Sequence, residues 1–216
     1  SGVLGEIICI RSNWSGFARR WDWQTLQREC AGNLLNTGPH PVDQAVVLFG
    51  DAYPEVFCRM AAYHFDFGGD ADNFCALTLY GKGRPTIEVQ VSSFLAYPQG
   101  EQYNIQGTCG GLSGGPAELR WKYFDPKSAP KHTLWKPWSF DRQYCCETLD
   151  WQEESWRFAE ASSNANGFVS LSRGVYRNLY GVLRNGAGRE ITLEQVRRQI
   201  FVMEEAHRQN PLPVNE

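Results

Sequence analysis

Residues 31–50 read AGNLLNTGPHPVDQAVVLFG, and three polar side chains in this stretch have chemistry open to them. On a helix, Asn36 and His40 are four apart and Asp43 is three further on, so all three project from one face. Imidazole exchanges protons near neutral pH, which makes His40 a candidate acid/base. An amide such as Asn36 can orient a hydroxyl or an imidazole but carries no charge. Asp43 either supports His40 or caps and solvates the helix. The opposite face carries Leu34, Leu35, Val42, Ala45, Val46 and Leu48, which belong to a core. Just upstream stands Arg19-Arg20-Trp21-Asp22-Trp23, two guanidiniums beside two indoles. Such a group can clamp an anionic or hydroxylated ligand, or the arginines can pair with Asp22 or Glu29 while the indoles pack.

The elements that must hold these residues follow from periodicity. Residues 6–14, EIICIRSNW, read as a strand with Ile8, Ile10, Ser12 and Trp14 on one side. Pro39 and Pro41 lack N–H groups and disfavour helix in the preceding residue, so the 31–50 helix is kinked there or starts near Pro39. Carbonyls of residues 35–37 then lose their usual donors. Gly50 ends the helix.

Period-two runs follow at residues 55–67, 72–80, 86–94, 102–109 and 116–124, separated by glycine-rich turns at 68–70, 81–83, 97–100 and 110–115. These predict antiparallel hairpins, joined by the first strand into an open sheet of about six or more strands. The cluster Gly107, Gly110, Gly111, Gly114 and Gly115 matches no phosphate-binding motif and is read as a hairpin turn. Residues 125–158, rich in tryptophan and proline, read as an ordered flap with a strand near 143–149. Two amphipathic helices close the chain, at 168–185 and from Thr192 to about Gln209, and are expected to cover one side of the sheet. The fold class is therefore α+β, an open, predominantly antiparallel sheet with helices on one face.

Composition sets the outer limits. The 216 residues are 42% hydrophobic, ample for a packed core, and form a single domain over 1–216. A net charge of −3 and a pI near 5.9 give no electrostatic footprint for nucleic acid or an anionic membrane surface. Seven cysteines in no C-x-x-C spacing suggest neither a disulfide framework nor a metal site, and Cys145-Cys146 reads as buried thiols. With no signal peptide or membrane span evident, the expected compartment is the cytoplasm.

The order GEIICIRSNW, RRWDW, GNLLNTGPHPVDQAVVLFG, a meander, VYRNLYGVLRNG and ITLEQVRRQIFVMEEAHR resembles the C-terminal domain of the glucose–fructose oxidoreductase/inositol dehydrogenase (Gfo/Idh/MocA) family over nearly the whole chain. The most specific part is G-x-L-L-N-T-G-P-H-P-x-D-Q. The resemblance implies the substrate-binding and oligomerising domain of an NAD(P)-dependent dehydrogenase of sugars, polyols or related hydroxy compounds. It also implies a homodimer through the sheet and a dinucleotide-binding Rossmann domain, supplying NAD or NADP and a lysine, that is missing here. No cofactor is expected to bind this chain alone.

Carried over by residue, His40 matches the family's proton-exchanging histidine. Asn36 falls where the family usually has aspartate, so it cannot stabilise an imidazolium as a carboxylate would. Arg19, Arg20 and Trp23 match substrate-pocket positions, and Thr37 shapes the backbone beside Pro39. A second reading is a ligand-binding or scaffolding protein that has kept this domain without catalysis.

Overall fold

A computed structural model describes residues 2–63, 68–97, 100–133, 144, 146–158 and 164–214. In chain order the strands are β1 (Ile7–Ser15), β2 (Glu55–Ala61), β3 (Phe74–Tyr80), β4 (Thr86–Ser92), β5 (Tyr103–Gly107), β6 (Gly110–Gly114), β7 (Glu118–Tyr123) and β8 (Gln152–Arg157). The helices are α1 (Asn33–Asn36), α2 (Pro39–Phe49), α3 (Asn164–Asn185) and α4 (Leu193–Gln209). All eight strands form one sheet in the order β2-β3-β4-β1-β5-β6-β7-β8. The fold is α+β, as expected. β1 lies inside the sheet, parallel to β4 and antiparallel to β5, so it splits the meander into two antiparallel halves.

Alternation explains the first half. In β3 the residues Cys75, Leu77 and Leu79 are buried, and in β4 Ile87, Val89 and Val91. Register aligns them in rows across the sheet: Leu77 faces Cys58 of β2 and Val89 of β4, and Ile87 faces Ile10 of β1. Val42, Ala45, Val46 and Phe49 of α2 and Val202 and Ala206 of α4 close this core from one side. Leu48, expected inside, is 49% exposed.

The outer strand β2 would present unpaired backbone groups along its free edge. Here two side-chain amides at the end of α4 act as a substitute neighbour. Gln209 accepts from Cys58 N–H and donates to Val56 C=O, while Asn210 accepts from Met60 N–H and donates to Cys58 C=O.

Three expectations are corrected. Residues 110–114 form a strand rather than a turn, because glycines let β6 approach β7 closely; a Cβ on Gly110 would collide with the Lys122 carbonyl oxygen. The strand placed near 143–149 lies instead at Gln152–Arg157, where it pairs with β7. Of the two closing helices, α4 packs on β2 and α2, whereas α3 leaves Val175, Tyr176, Leu179, Tyr180 and Leu183 exposed. Thr37 C=O does lose its usual donor, since residue 41 is proline, and accepts instead from His40 N–H at 3.2 Å. Within the expected flap, residues 134–143 and Cys145 lie outside the described residues.

Candidate active site

Because β1 and β4 run parallel, their chains leave the sheet side by side. The loop after β1 is stitched to the end of β4: Gly16 N–H donates to Ser92 C=O at 2.9 Å and Ala18 N–H to Ser93 C=O at 3.0 Å, and Leu95 N–H donates to Gly16 C=O at 3.0 Å. α1 lies against the same place. The Asn33 side-chain amide donates to Asn73 C=O at 2.8 Å and to Ser93 Oγ at 3.1 Å. Between these three segments opens a cleft of about 190 Å³, lined by Trp14, Arg20, Asn33, Thr37, Ser92 and Ser93 among others.

The break that the two prolines impose is what shapes this end of the helix. α1 closes after one turn, Thr37 and Gly38 intervene, and Pro39 stands at the first position of α2, where a missing N–H costs nothing. His40 is thereby exposed at the start of α2, its ring stacked on the Trp14 indole at 5.9 Å between centroids and 16° between planes. Trp14 is in turn oriented by donating its indole N–H to Ser12 Oγ at 3.1 Å. His40 is not among the residues lining the cleft and is linked to it through the Trp14 ring.

α1 itself is fixed by a buried carboxylate. Asp72, 2% exposed, accepts from Leu34 N–H at 2.9 Å through Oδ2, and its backbone carbonyl accepts from Asn33 N–H at 2.7 Å. Its Oδ1 is buried with no partner among the described residues and packs on Gly32, whose φ of +118° and missing Cβ make room for it. Burial is the largest influence on this group and raises it from 3.8 to about 6, against the lowering effect of the backbone N–H donors.

The expected site residues divide. Arg20 and Thr37 line the cleft, and His40 borders it through Trp14. Arg20 donates from Nη2 to Asp22 Oδ2 at 3.3 Å, the pairing that was one of the two open readings. Trp23 begins a 3₁₀ turn, 59% exposed, and Arg19 immediately precedes Arg20. Asn36 is exposed at the end of α1. Asp43 turns to α4, where its Oδ1 accepts from Gln195 Nε2 at 2.9 Å, and it borders a separate, mainly apolar hollow of about 370 Å³. Sequence reasoning did not single out Trp14, Asn33, Ser92 or Ser93. They come from three elements that only the parallel pairing brings together.

The chain matches the GFO/IDH/MocA C-terminal domain over residues 1–113, from β1 through most of β6. The chain belongs to that family. Among solved structures, an oxidoreductase from Bacillus cereus aligns with a TM-score of 0.69 at 16% identity, covering 100% of this chain and 61% of that one. An NAD-binding protein from Listeria innocua aligns at 0.65 and 16% identity, covering 98% of this chain and 60% of that one. This member of the Gfo/Idh/MocA family thus spans about three fifths of the length of those structures, which share its fold. A search of curated proteins finds no match.

The described residues do not fit a dinucleotide. Pyrophosphate is ordinarily held where a glycine-rich turn leads from a strand into a helix N-terminus. The glycine cluster here is instead a strand packed against β7. Nor does any group of three or more histidine, cysteine or acidic side chains among the described residues suit a metal ion. No helix among them is long and apolar enough to cross a membrane.

Proposed function

We propose that this chain is the substrate-binding and proton-transferring part of an NAD(P)-dependent oxidoreductase acting on a sugar, polyol or related hydroxy compound. The observation that carries the reading is the polar cleft at the ends of β1 and β4, with the exposed His40 ring stacked on one of its walls. The substrate hydroxyl would lie against Asn33, Thr37 and Ser93, with the sugar ring on the Trp14 indole. His40 would take the hydroxyl proton during oxidation and return it during reduction. Asn36, an amide, cannot balance the imidazolium, and Asp43 is engaged with Gln195, so the positive charge on His40 would be borne largely by solvent. A nicotinamide dinucleotide would supply the hydride chemistry of such a reaction, and the Listeria innocua structure of the same fold is described as an NAD-binding protein.

In an active oxidoreductase containing this domain, His40→Ala lowers turnover by about 10²–10⁴-fold. Unchanged turnover removes the acid/base role. The scaffolding alternative draws on one observation, that no described carboxylate bonds the His40 ring, and it gains if the variant is indistinguishable from wild type.

The reading includes a cytoplasmic homodimer that meets through the helix-free face of the sheet, which carries the Arg11–Glu88 and Lys122–Glu153 pairs. Nothing among the described residues covers that face, and a symmetric copy would do so. Multi-angle light scattering at micromolar concentration should return twice the chain mass; a monomer mass contradicts this part.

A further inference from the structure

We propose that the ligand of the cleft is an anionic hydroxy compound, its carboxylate or phosphate held by Arg20. This rests on the reading of the cleft as the substrate site. Arg20 is the only charged side chain among the described residues lining it; the rest are neutral polar or apolar. Its guanidinium is held from one end. Nη2 donates to Asp22 Oδ2, while Asp22 Oδ1 accepts from Gln24 N–H at 3.0 Å, which anchors the pair to the backbone of the following turn. A guanidinium offers five donors in a rigid fork matched to a carboxylate or phosphate, and one long contact to Asp22 occupies a small part of that capacity. Asp22 does not itself line the cleft, so an anion entering from the cleft side shares the guanidinium with it rather than meeting it.

The remaining lining suits the other end of such a molecule. Asn33 and Ser93 are already linked to each other and present amide and hydroxyl groups, and the Thr37 hydroxyl has no hydrogen-bond partner among the described residues. These pair with hydroxyls and leave a negative charge no other cationic partner than Arg20. A neutral polyol would cover the guanidinium without replacing its lost hydration by a charge, which favours the anion. A cleft of about 190 Å³ also limits the ligand to one small unit, since drug-sized molecules occupy roughly 300–1,000 Å³.

The test is an NMR titration of the 216-residue chain, following the Trp14 indole N–H, with D-glucuronate, D-glucose 6-phosphate and D-glucose. Wild type is compared with Arg20→Gln and with Arg11→Gln, which breaks an ion pair elsewhere on the sheet. At least one anion should bind about tenfold or more tighter than glucose, as expected of a charge-assisted pair. That preference should disappear in Arg20→Gln and persist in Arg11→Gln. Tighter glucuronate identifies a carboxylate as the group held, and tighter glucose 6-phosphate a phosphate. Glucose binding as tightly as both anions, or a preference that survives Arg20→Gln, overturns the assignment to Arg20 while leaving the cleft as a sugar site. If none of the three moves the Trp14 resonance, the cleft reading fails and this inference with it.

Discussion

The two halves of the sheet differ in what they bury. Among the described residues, β1–β4 with α1, α2 and α4 supply the main cluster of buried apolar side chains, whereas β5–β8 add only Ile105, packed at its margin. All six residues of β8 are exposed, and Trp156 is 45% exposed. Yet both halves are fully hydrogen-bonded ladders with regular register. Backbone pairing can therefore extend a sheet well beyond the region that stabilises it, and the candidate site sits where burial holds the backbone firmly.

Truncation should expose this contrast most strongly. Phe49, 2% exposed against the covered half, loses about 3–5 kcal/mol as Phe49→Ala, from lost transfer energy and the cavity left behind. Trp156→Ala in the open half should cost far less despite the larger side chain, because much of its surface already meets water. Urea unfolding of both variants compares them directly. Equal losses would mean that the side of the open half carrying Trp156, which borders the same hollow as Val47 and Leu48 of α2, is covered in solution.

The halves were also unequally legible. β3 and β4 announce themselves because alternate residues meet the core and solvent, so burial writes a period of two into the sequence. GGLSG in β6 has almost no side chains to carry that period, and β8, exposed throughout, has no apolar face to reveal it. The insertion of β1 between β4 and β5 depends on pairing across about eighty residues, which no local pattern encodes. The site follows the same rule. His40, Arg20 and Thr37 stand out by type and spacing within one or two segments. Asn33, Ser93 and Trp14 become neighbours only through the parallel pair, and Asp72 gains its role only by being buried under α1.

Asp72 allows the covered half to be probed by pH. Its folded value near 6 lies above the ordinary 3.8, so the folded state disfavours the ionised form. Well below pH 3.8 the group is protonated both folded and unfolded and costs nothing. The penalty grows as pH rises from 3.8 to 6 and is complete above 6, amounting to about 3 kcal/mol at 1.36 kcal/mol per pH unit. In Asp72→Asn the side-chain carbonyl still accepts from Leu34 N–H, but no charge is buried. Urea unfolding between pH 4 and pH 7.5 should show wild type losing about 2–3 kcal/mol relative to this variant as pH rises. Parallel profiles would show that Asp72 ionises without penalty, through a partner such as water at Oδ1.

The smallest expected effect lies at the edge of the covered half, where no strand follows β2. If the α4 amides replace a neighbouring strand, Asn210→Ala strands the Met60 N–H and Cys58 C=O together, at about 1–2 kcal/mol. The effect should also be local. Amide hydrogen exchange at Met60 should accelerate strongly, while Leu77, paired on both sides in β3, keeps the protection set by global unfolding. Asn210→Asp tests the chemistry separately. It keeps the acceptor for Met60 N–H and replaces the donor to Cys58 C=O by a carboxylate oxygen, so it should protect Met60 while still losing stability. Unaltered exchange at Met60 in Asn210→Ala would show that water serves that edge as well as the side chain does, and that β2 needs no substitute neighbour.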